Sequence, residues 1–239
     1  EEKVSIEEPS ISSTSDSLAE PFVPPHESFK ADDNSEDFLP PPTVQELKGD
    51  YYIVPTLGLA LSSRSTVSYV LNSIPESKDL DNEFGFSLGV RGGMRFGNFY
   101  SDIGIKYTSL DFNIYGATNI FGNSFPYIGD GILDLLKFDA RLGYTFQIND
   151  SLAFNSSVGF GLANRKNTID IHTTQSNFYI DSITSNESVL SYDLTFSLSY
   201  DLANNFMATL GYNYVNVAKI SQFSALNMHI FELGVGANF

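Results

Sequence analysis

Residues 228–239, MHIFELGVGANF, form the stretch on which the fold assignment depends. Its apolar positions are Phe231, Leu233, Val235, Ala237 and Phe239, and small or polar residues stand between them. A period of two places successive side chains on opposite faces of a β-strand. The pattern therefore predicts a strand with one face that is apolar along its whole length and closes on an aromatic residue.

Seven further segments show the same alternation over about ten to thirteen residues each, a length that suits tilted strands crossing a bilayer. They are residues 51–62, 84–95, 99–109, 136–147, 152–163, 190–202 and 206–216. Long connections (63–83, 110–135, 164–189 and 217–227) alternate with short turns near residues 97, 149 and 204. Long loops at one mouth and short turns at the other are typical of outer-membrane barrels. We predict an all-β fold, an eight-stranded antiparallel transmembrane β-barrel over residues 49–239.

The placement of charge predicts which face of each strand meets lipid. Ten bases follow residue 48, and none of them lies on the apolar face of a strand. A base on a lipid-facing surface would cost about 2–4 kcal/mol at the bilayer midplane. We therefore expect Leu88, Leu142 and Leu198 to face lipid, and Arg91, Arg141 and Asp193 to face the lumen.

The polar strand faces carry five bases and five acids, which we expect to form a paired charge network inside the barrel. They are Arg91, Arg95, Asp102, Lys106, Lys137, Asp139, Arg141, Asp193, Asp201 and Glu232. The lumen of an eight-stranded barrel is filled by its own side chains, so a wide pore is not expected. A narrow or gated channel is the alternative interpretation.

In these features the chain resembles the small eight-stranded outer-membrane barrels of the opacity-protein and OmpX-like group. The resemblance covers residues 49–239 and is one of pattern rather than of a sharp motif. It implies a bacterial outer-membrane surface protein, an adhesin or a structural barrel that presents four extracellular loops and contacts outer-membrane lipid and lipopolysaccharide. The last strand also resembles the assembly signal of such proteins, with Phe231, Leu233, Val235 and Phe239 as its apolar positions.

Residues 1–48 differ sharply from the rest of the chain. They hold 12 of the 29 acidic residues, seven of the ten prolines and none of the 18 glycines. Such a segment cannot bury enough apolar surface to fold alone. We expect an extended or disordered acidic arm on the periplasmic side, which is either a solvated spacer or a docking arm. In the second case Phe22, Phe29 and Phe38 would bind a periplasmic or outer-membrane protein.

Several other functions are disfavoured by composition. The chain has no cysteine, so it has no disulfide framework or thiolate metal site. Its net charge of −16 argues against a nucleic-acid partner, and no cofactor motif is present. The remaining enzymatic alternative is lipid-A modification by His229 with Ser191 or Asp193, but the chain lacks a His-x-Ser-Asn sequence. We therefore expect a non-enzymatic protein without a metal or cofactor.

Overall fold

The computed structural model describes residues 50–63, 65–71, 74–120, 123–174, 178–202 and 205–239. Within these ranges it does not describe the side chains of residues 71, 74, 81–83, 118–120 and 123–124. The chain divides into two units, residues 1–45 and 46–239, and the fold described below belongs to the second. The predicted docking residues Phe22, Phe29 and Phe38 lie outside the described residues.

The described residues form nine antiparallel strands, which are β1 (Asp50–Ser62), β2 (Ser65–Leu71), β3 (Ile74–Phe96), β4 (Phe99–Ile120), β5 (Asn123–Gln147), β6 (Leu152–Thr173), β7 (Tyr179–Asp201), β8 (Phe206–Val217) and β9 (Leu226–Asn238). Each strand from β3 to β9 pairs with the next, and β1 pairs with both β9 and β3, so eight strands close into a ring. The short strand β2 continues the edge of β1 and pairs with the first part of β3. The predicted eight-stranded antiparallel barrel is therefore confirmed.

The strands are longer than the sequence pattern predicted. Strands β3 to β7 contain 22 to 25 residues each. Three of the four predicted long loops (63–83, 110–135 and 164–189) are consequently mostly strand. The prediction was wrong there because polar outward residues were read as loop, although the alternation of side chains continues through them.

In the part of the barrel near the short turns, outward residues are apolar and inward residues are polar. Leu142 is 68% exposed on the outer surface and Arg141 is 2% exposed on the inner one. Leu88 and Leu198 also face outward, and Asp193 faces inward, as predicted. On β5 the apolar outward residues run from Leu136 to Phe146. At about 3.3 Å per residue and a tilt of about 40°, they span a height of about 25 Å, which matches the apolar band of an outer-membrane barrel.

Beyond that band the polarity of the two faces is exchanged, while β5 keeps an unbroken register with β4 and β6. On β4 the inward residues become apolar at Leu110, Phe112 and Ile114, whereas Asp111 is exposed on the outer surface. On β5, Leu133 and Leu135 point inward and lie between outward residues such as Asp134. We call the two parts the membrane band and the extension. The extension comprises the described residues of 65–80, 109–135 and 164–189 and the connection 218–225.

The extension is filled by an apolar core, as in a water-soluble barrel. Its buried members are Val67, Tyr69, Leu80, Leu110, Phe112, Ile114, Tyr127, Leu133, Leu135, Ile169, Ile171, Ile183, Ile220 and Phe223, and side chains from β8 and β9 continue it towards the membrane band. Because these residues point inward, where water is excluded, the hydrophobic effect stabilises the strands outside the bilayer as well.

The connection between β8 and β9 joins the two free edges of the extension. The Ala218 N–H donates to the Leu190 carbonyl of β7 at 3.1 Å, and the Ser68 N–H of β2 donates to the Gln222 carbonyl at 2.7 Å. Phe223 is buried in the apolar core. This short connection therefore completes the wall of the extension at its base.

The opposite end of the barrel contains the short turns and both ends of the described chain. Phe96 and Phe99 flank a turn in which Gly97 has a φ of +61°, a conformation that favours glycine. The Tyr51 N–H donates to the Phe239 carbonyl at 3.0 Å, and the Phe239 N–H donates to the Tyr51 carbonyl at 2.9 Å. The last residue thus pairs with the first strand. No helix in the described part of the chain is long and apolar enough to span a membrane.

Candidate functional site in the barrel interior

Four bases and four acids come together in the middle of the barrel. They are Arg91 on β3, Asp102 and Lys106 on β4, Lys137, Asp139 and Arg141 on β5, Asp193 on β7 and Glu232 on β9. They point inward because each lies on the polar face of its alternating strand. With four positive and four negative groups the cluster carries no net formal charge, as buried ions require.

The centre of this network is a four-membered cluster of charges. The Lys137 Nζ lies 2.6 Å from Asp139 Oδ2 and 2.6 Å from Asp193 Oδ2. The Arg141 guanidinium contacts the same two carboxylates, at 3.3 Å from Asp139 and 3.1 Å from Asp193. The Arg141 Nη1 also donates to Thr195 Oγ1 at 2.9 Å. Each carboxylate is thus shared by two cations, and the cluster links β5 to β7 across the lumen.

Two further pairs extend the network. The Arg91 Nε lies 3.3 Å from Asp102 Oδ1, and the Tyr52 hydroxyl donates to Asp102 Oδ2 at 2.9 Å. The Lys106 ammonium pairs with the Glu232 carboxylate across the interior. These contacts connect β1, β3, β4 and β9. Two of them, Tyr52–Asp102 and Lys106–Glu232, join strands that are not neighbours in the sheet.

Glycine on the inner face makes room for the carboxylates. A Cβ added at Gly159 would lie 2.6 Å from Asp193 Oδ2, and one added at Gly104 would lie 2.9 Å from Asp139 Oδ1. Both distances are too short for a side chain to fit without a shift. The glycines of these strands therefore determine how closely the charged groups can pack against the wall.

Two of the ten predicted lumen residues do not join the ion pairs of the described residues. The guanidinium of Arg95 lies over the ring of Tyr52, 5.2 Å from its centroid, and its Nη2 lies 3.2 Å from the sulfur of Met207. Asp201 is exposed at the short-turn end of β7. Both lie near the mouth of the barrel, where water solvates a charge and no counter-ion is required.

The network also includes residues that the sequence analysis did not single out. Tyr52 and Thr195 hold Asp102 and Arg141 by hydrogen bonds. A signal for both exists in the sequence, because each lies an even number of positions from a charged or polar inward residue of its own strand. On the short-turn side of the network, a cavity of about 70 Å³ is lined by Tyr52, Arg95 and neighbouring polar residues.

Arg165 is a buried cation in the extension, where the sequence predicted a solvated loop. It is 0% exposed, donates from Nη1 to the Ser224 carbonyl at 2.8 Å, and lies over the Phe223 ring. Burial lowers the pKa of Arg165 to about 10, and the carboxylate of Glu187 partly opposes that effect. Its hydrogen bond to Ser224 fixes the connection between β8 and β9 to the core of the extension.

The residues of the enzymatic alternative do not come together. His229 lies on the outer face of β9, where its Nδ1 is 2.7 Å from the Tyr212 hydroxyl. Ser191 and Asp193 are buried on the inner face of β7. The barrel wall separates the imidazole from both, so the proposed pairing of His229 with either residue is wrong. The described residues also contain no cluster of His, Cys, Asp or Glu that could hold a metal ion.

The four apolar residues of the predicted assembly signal all lie on the outer surface. Phe231, Leu233, Val235 and Phe239 are exposed in the membrane band. Phe231 packs against Tyr212 with ring centroids 5.4 Å apart, and Phe239 stacks on Tyr51 at 6.4 Å. Their role as an assembly signal stays a prediction.

Together the closed antiparallel ring, its apolar outer band and its charged interior define a membrane-spanning β-barrel protein. Residues 39–239 match the family described as "Outer membrane protein beta-barrel domain". The chain belongs to this outer-membrane β-barrel family.

Several solved outer-membrane barrels have a similar fold. Neisserial surface protein A is 16% identical with a TM-score of 0.47, over 80% of this chain and 100% of that chain. Ail, the attachment invasion locus protein of Yersinia pestis, solved with a heparin analogue, is 18% identical with a TM-score of 0.38, over 80% and 99%. The N-terminal β-barrel domain of Pseudomonas aeruginosa OprF is 16% identical with a TM-score of 0.37, over 80% and 100%. No curated protein matches the chain.

Proposed function

We propose that this protein is a non-enzymatic outer-membrane barrel with a closed lumen, which holds the extension at the cell surface as a platform for contacts. The observation that carries the proposal is the exchange of polarity along single strands. A strand with an apolar outer face followed by a polar outer face is suited to leave a bilayer and continue into water.

Two groups of side chains that fill the interior, one in the membrane band and one in the extension, support a closed lumen. In the membrane band, Lys137 and Arg141 each pair with Asp139 and Asp193. Beyond it, the apolar core occupies the space inside the extension. An ion moving along the axis would have to break buried pairs and then enter an apolar interior, and both steps cost free energy.

The proposed orientation places the extension outside the cell. Outer-membrane barrels have short turns on the periplasmic side, and the short turns and the first described residue share one end of this barrel. In this orientation residues 1–48 would lie in the periplasm. There the acidic arm binds a periplasmic or outer-membrane protein through Phe22, Phe29 and Phe38, while the membrane band contacts outer-membrane lipid and lipopolysaccharide. Nucleic acid is not a partner in this scheme.

The main alternative is a narrow channel, and conductance separates the two. Purified full-length protein inserted into planar bilayers is expected to give no steady open level. An Asp139→Asn, Asp193→Asn variant loses the carboxylates that hold Lys137 and Arg141, so its electrical noise is expected to exceed that of the parent. A stable open level in the unmodified protein would contradict the closed lumen. Lipid-A mass spectra that change when the protein is expressed would contradict the non-enzymatic proposal.

A further inference from the structure

One row of outward side chains in the extension breaks the rule that its outer face is polar. Tyr115, Ile128, His172 and Tyr179 lie side by side on β4, β5, β6 and β7, in the half of the extension farther from the membrane band. Tyr115 is 57% exposed, and Phe178, next to Tyr179, is 70% exposed. Contiguous apolar and aromatic side chains on a water-facing sheet mark interaction surfaces. We call this the distal row.

The two rows nearer the membrane carry carboxylates that form no ion pair with a cation of the described residues. Asp130 pairs in register with Asn113 on one side and with Asp170 on the other, and Asp111 lies in the next row. Asp130 and Asp170 are therefore like charges directly opposite each other, which destabilises a sheet. Neither of them, nor Asp111, forms an ion pair with another described residue. Two like charges therefore stand opposite each other on this face, and no cation of the described residues pairs with them.

Asp134 lies on the same face, and its carboxylate has hydrogen-bond donors. It accepts hydrogen bonds from the Tyr107 hydroxyl at 2.6 Å and the Ser109 hydroxyl at 3.0 Å. It also stands opposite Lys166 on β6. Asp111, Asp130 and Asp170 thus differ from Asp134, which has hydrogen-bond donors on its own face of the sheet.

The three unpaired carboxylates surround a shallow depression in the sheet surface. Its volume is about 390 Å³, and its lining includes Asp111, Asp130 and Asp170 together with Ile132 and Thr168. The depression is large enough for a long side chain. Its negative border and the adjacent aromatic row together select a ligand with positive charge and apolar surface.

We propose that this outer face of β4–β7 docks a basic polypeptide. Lysine or arginine side chains of the partner enter the depression and pair with Asp130 and Asp170, while an apolar side chain packs on Tyr115 and Tyr179. Binding removes the repulsion between the two carboxylates, and the same carboxylates repel anionic glycans. The inference deepens the proposed surface function and rests on it for where the partner is met, but the interaction itself can be tested on purified protein in either orientation.

The test uses the full-length chain in nanodiscs of zwitterionic phospholipid. The probe is a synthetic peptide of alternating lysine and leucine, with matched peptides of lysine and serine and of glutamate and leucine; empty nanodiscs report binding to lipid. We expect the lysine–leucine peptide to bind more tightly than either matched peptide. Backbone amide shifts should concentrate at residues 111–115, 128–132 and 168–172. Binding should weaken as salt is added, because exposed ion pairs are screened.

Two variants and two matched controls localise the effect. Asp130→Asn with Asp170→Asn removes the charge, and Tyr115→Ser with Tyr179→Ser removes the apolar contact. Each is expected to weaken binding about three- to tenfold, as expected for losing two exposed contacts. Asp150→Asn, at a short turn, and Val70→Ser, exposed on β2, are expected to leave affinity unchanged.

The possible results separate this inference from the proposed function. Equal affinity of the Asp130, Asp170 variant and the parent would overturn the docking face, as would shifts confined to residues 1–49 or equal binding of the glutamate–leucine peptide. Accessibility of the extension to protease added to intact cells tests the orientation separately. A protected extension with intact peptide binding would refute the orientation and leave the docking face standing.

Discussion

The membrane band and the extension are built from the same strands and have opposite polarity. On β5, Leu142 faces outward and Arg141 inward, whereas twelve positions earlier Asp130 faces outward and Gly129 packs inward against Ile114. The hydrogen-bonded register with β4 and β6 continues through both parts. Secondary structure is therefore the same in both, and only the choice of side chains distinguishes a segment suited to lipid from one suited to water.

The interiors of the two regions are also stabilised in different ways. The membrane band uses buried ion pairs, and its apolar surface is solvated by lipid. The extension uses an apolar core, and its polar surface is solvated by water. A substitution should thus have different consequences in the two regions, even at positions that look equivalent on the same strand.

The largest effect is expected from removing one member of the central charge cluster. Asp193→Asn leaves Lys137 and Arg141 with only Asp139 as a carboxylate partner, and breaking a buried pair costs about 3–5 kcal/mol. Equilibrium unfolding in phospholipid vesicles measures the loss. The double variant Lys137→Met, Asp193→Leu keeps the Arg141–Asp139 pair, so it should be more stable than Asp193→Asn. Equal stability of the parent and Asp193→Asn would show that the cluster does not stabilise the barrel.

A smaller effect is expected when one outward residue in each region is replaced by arginine. Leu142→Arg places a cation in the membrane band and should cost about 2–4 kcal/mol of unfolding free energy. Ile132→Arg, on the same strand, places it in water beside carboxylates and should change stability by less than about 0.5 kcal/mol. The same vesicle unfolding assay compares the two. Similar costs at both positions would mean that both regions meet the same solvent.

The smallest effect concerns acid release of the β8–β9 connection. The side chain and backbone N–H of Ser221 donate to the Glu187 carboxylate, and these bonds lower the pKa of that carboxyl. Because the folded pKa lies below the unfolded value, the contact contributes above the unfolded pKa and is lost as pH falls through the folded pKa. Nuclear relaxation should therefore show greater mobility of residues 219–225 as pH falls below the ordinary pKa of a glutamate. Ser221→Ala should already be mobile at neutral pH, and a rigid connection in that variant would contradict the assignment.

The sequence predicted the membrane band well because a lipid environment imposes a simple rule. Apolar residues that face lipid must alternate with residues that face the lumen over the thickness of the bilayer. A base that faces lipid costs a large amount of folding free energy. Leu88, Leu142 and Leu198 therefore have the predicted orientation. The eight residues of the ion pairs point inward because they occupy alternate positions of their strands. Tyr52 and Thr195 occupy positions of the same kind, so the sequence predicts their inward direction as well.

The extension was missed because its pattern of polarity differs from that of the membrane band. Polar residues at Asp111, Asp130 and Asp170 suggested loops, although Leu110, Phe112 and Ile114 continue the alternation with the opposite polarity. The signal of the extension in the sequence is this period-two alternation in the opposite phase. The exceptions at Arg95 and Asp201 could not be predicted from parity, because parity gives the direction of a side chain but not its distance from water at the mouth.

The most direct test is to measure the position on β5 at which the outer surface of the barrel passes from lipid to water. The chain has no cysteine, so single cysteines can be placed without background at outward positions of β5, from Phe146 through Leu142 and Phe138 to Asp134, Asp130 and Ile128. Spin labels at these sites report access to oxygen, which partitions into lipid, and to a water-soluble nickel complex. We predict that oxygen reaches the labels from Phe146 to Leu136 and that the nickel complex reaches those from Asp134 onwards. The change from lipid to water should occur once, between Leu136 and Asp134. Oxygen access that continued to Ile128 would contradict it, because the exchange of polarity would then not mark the edge of the membrane.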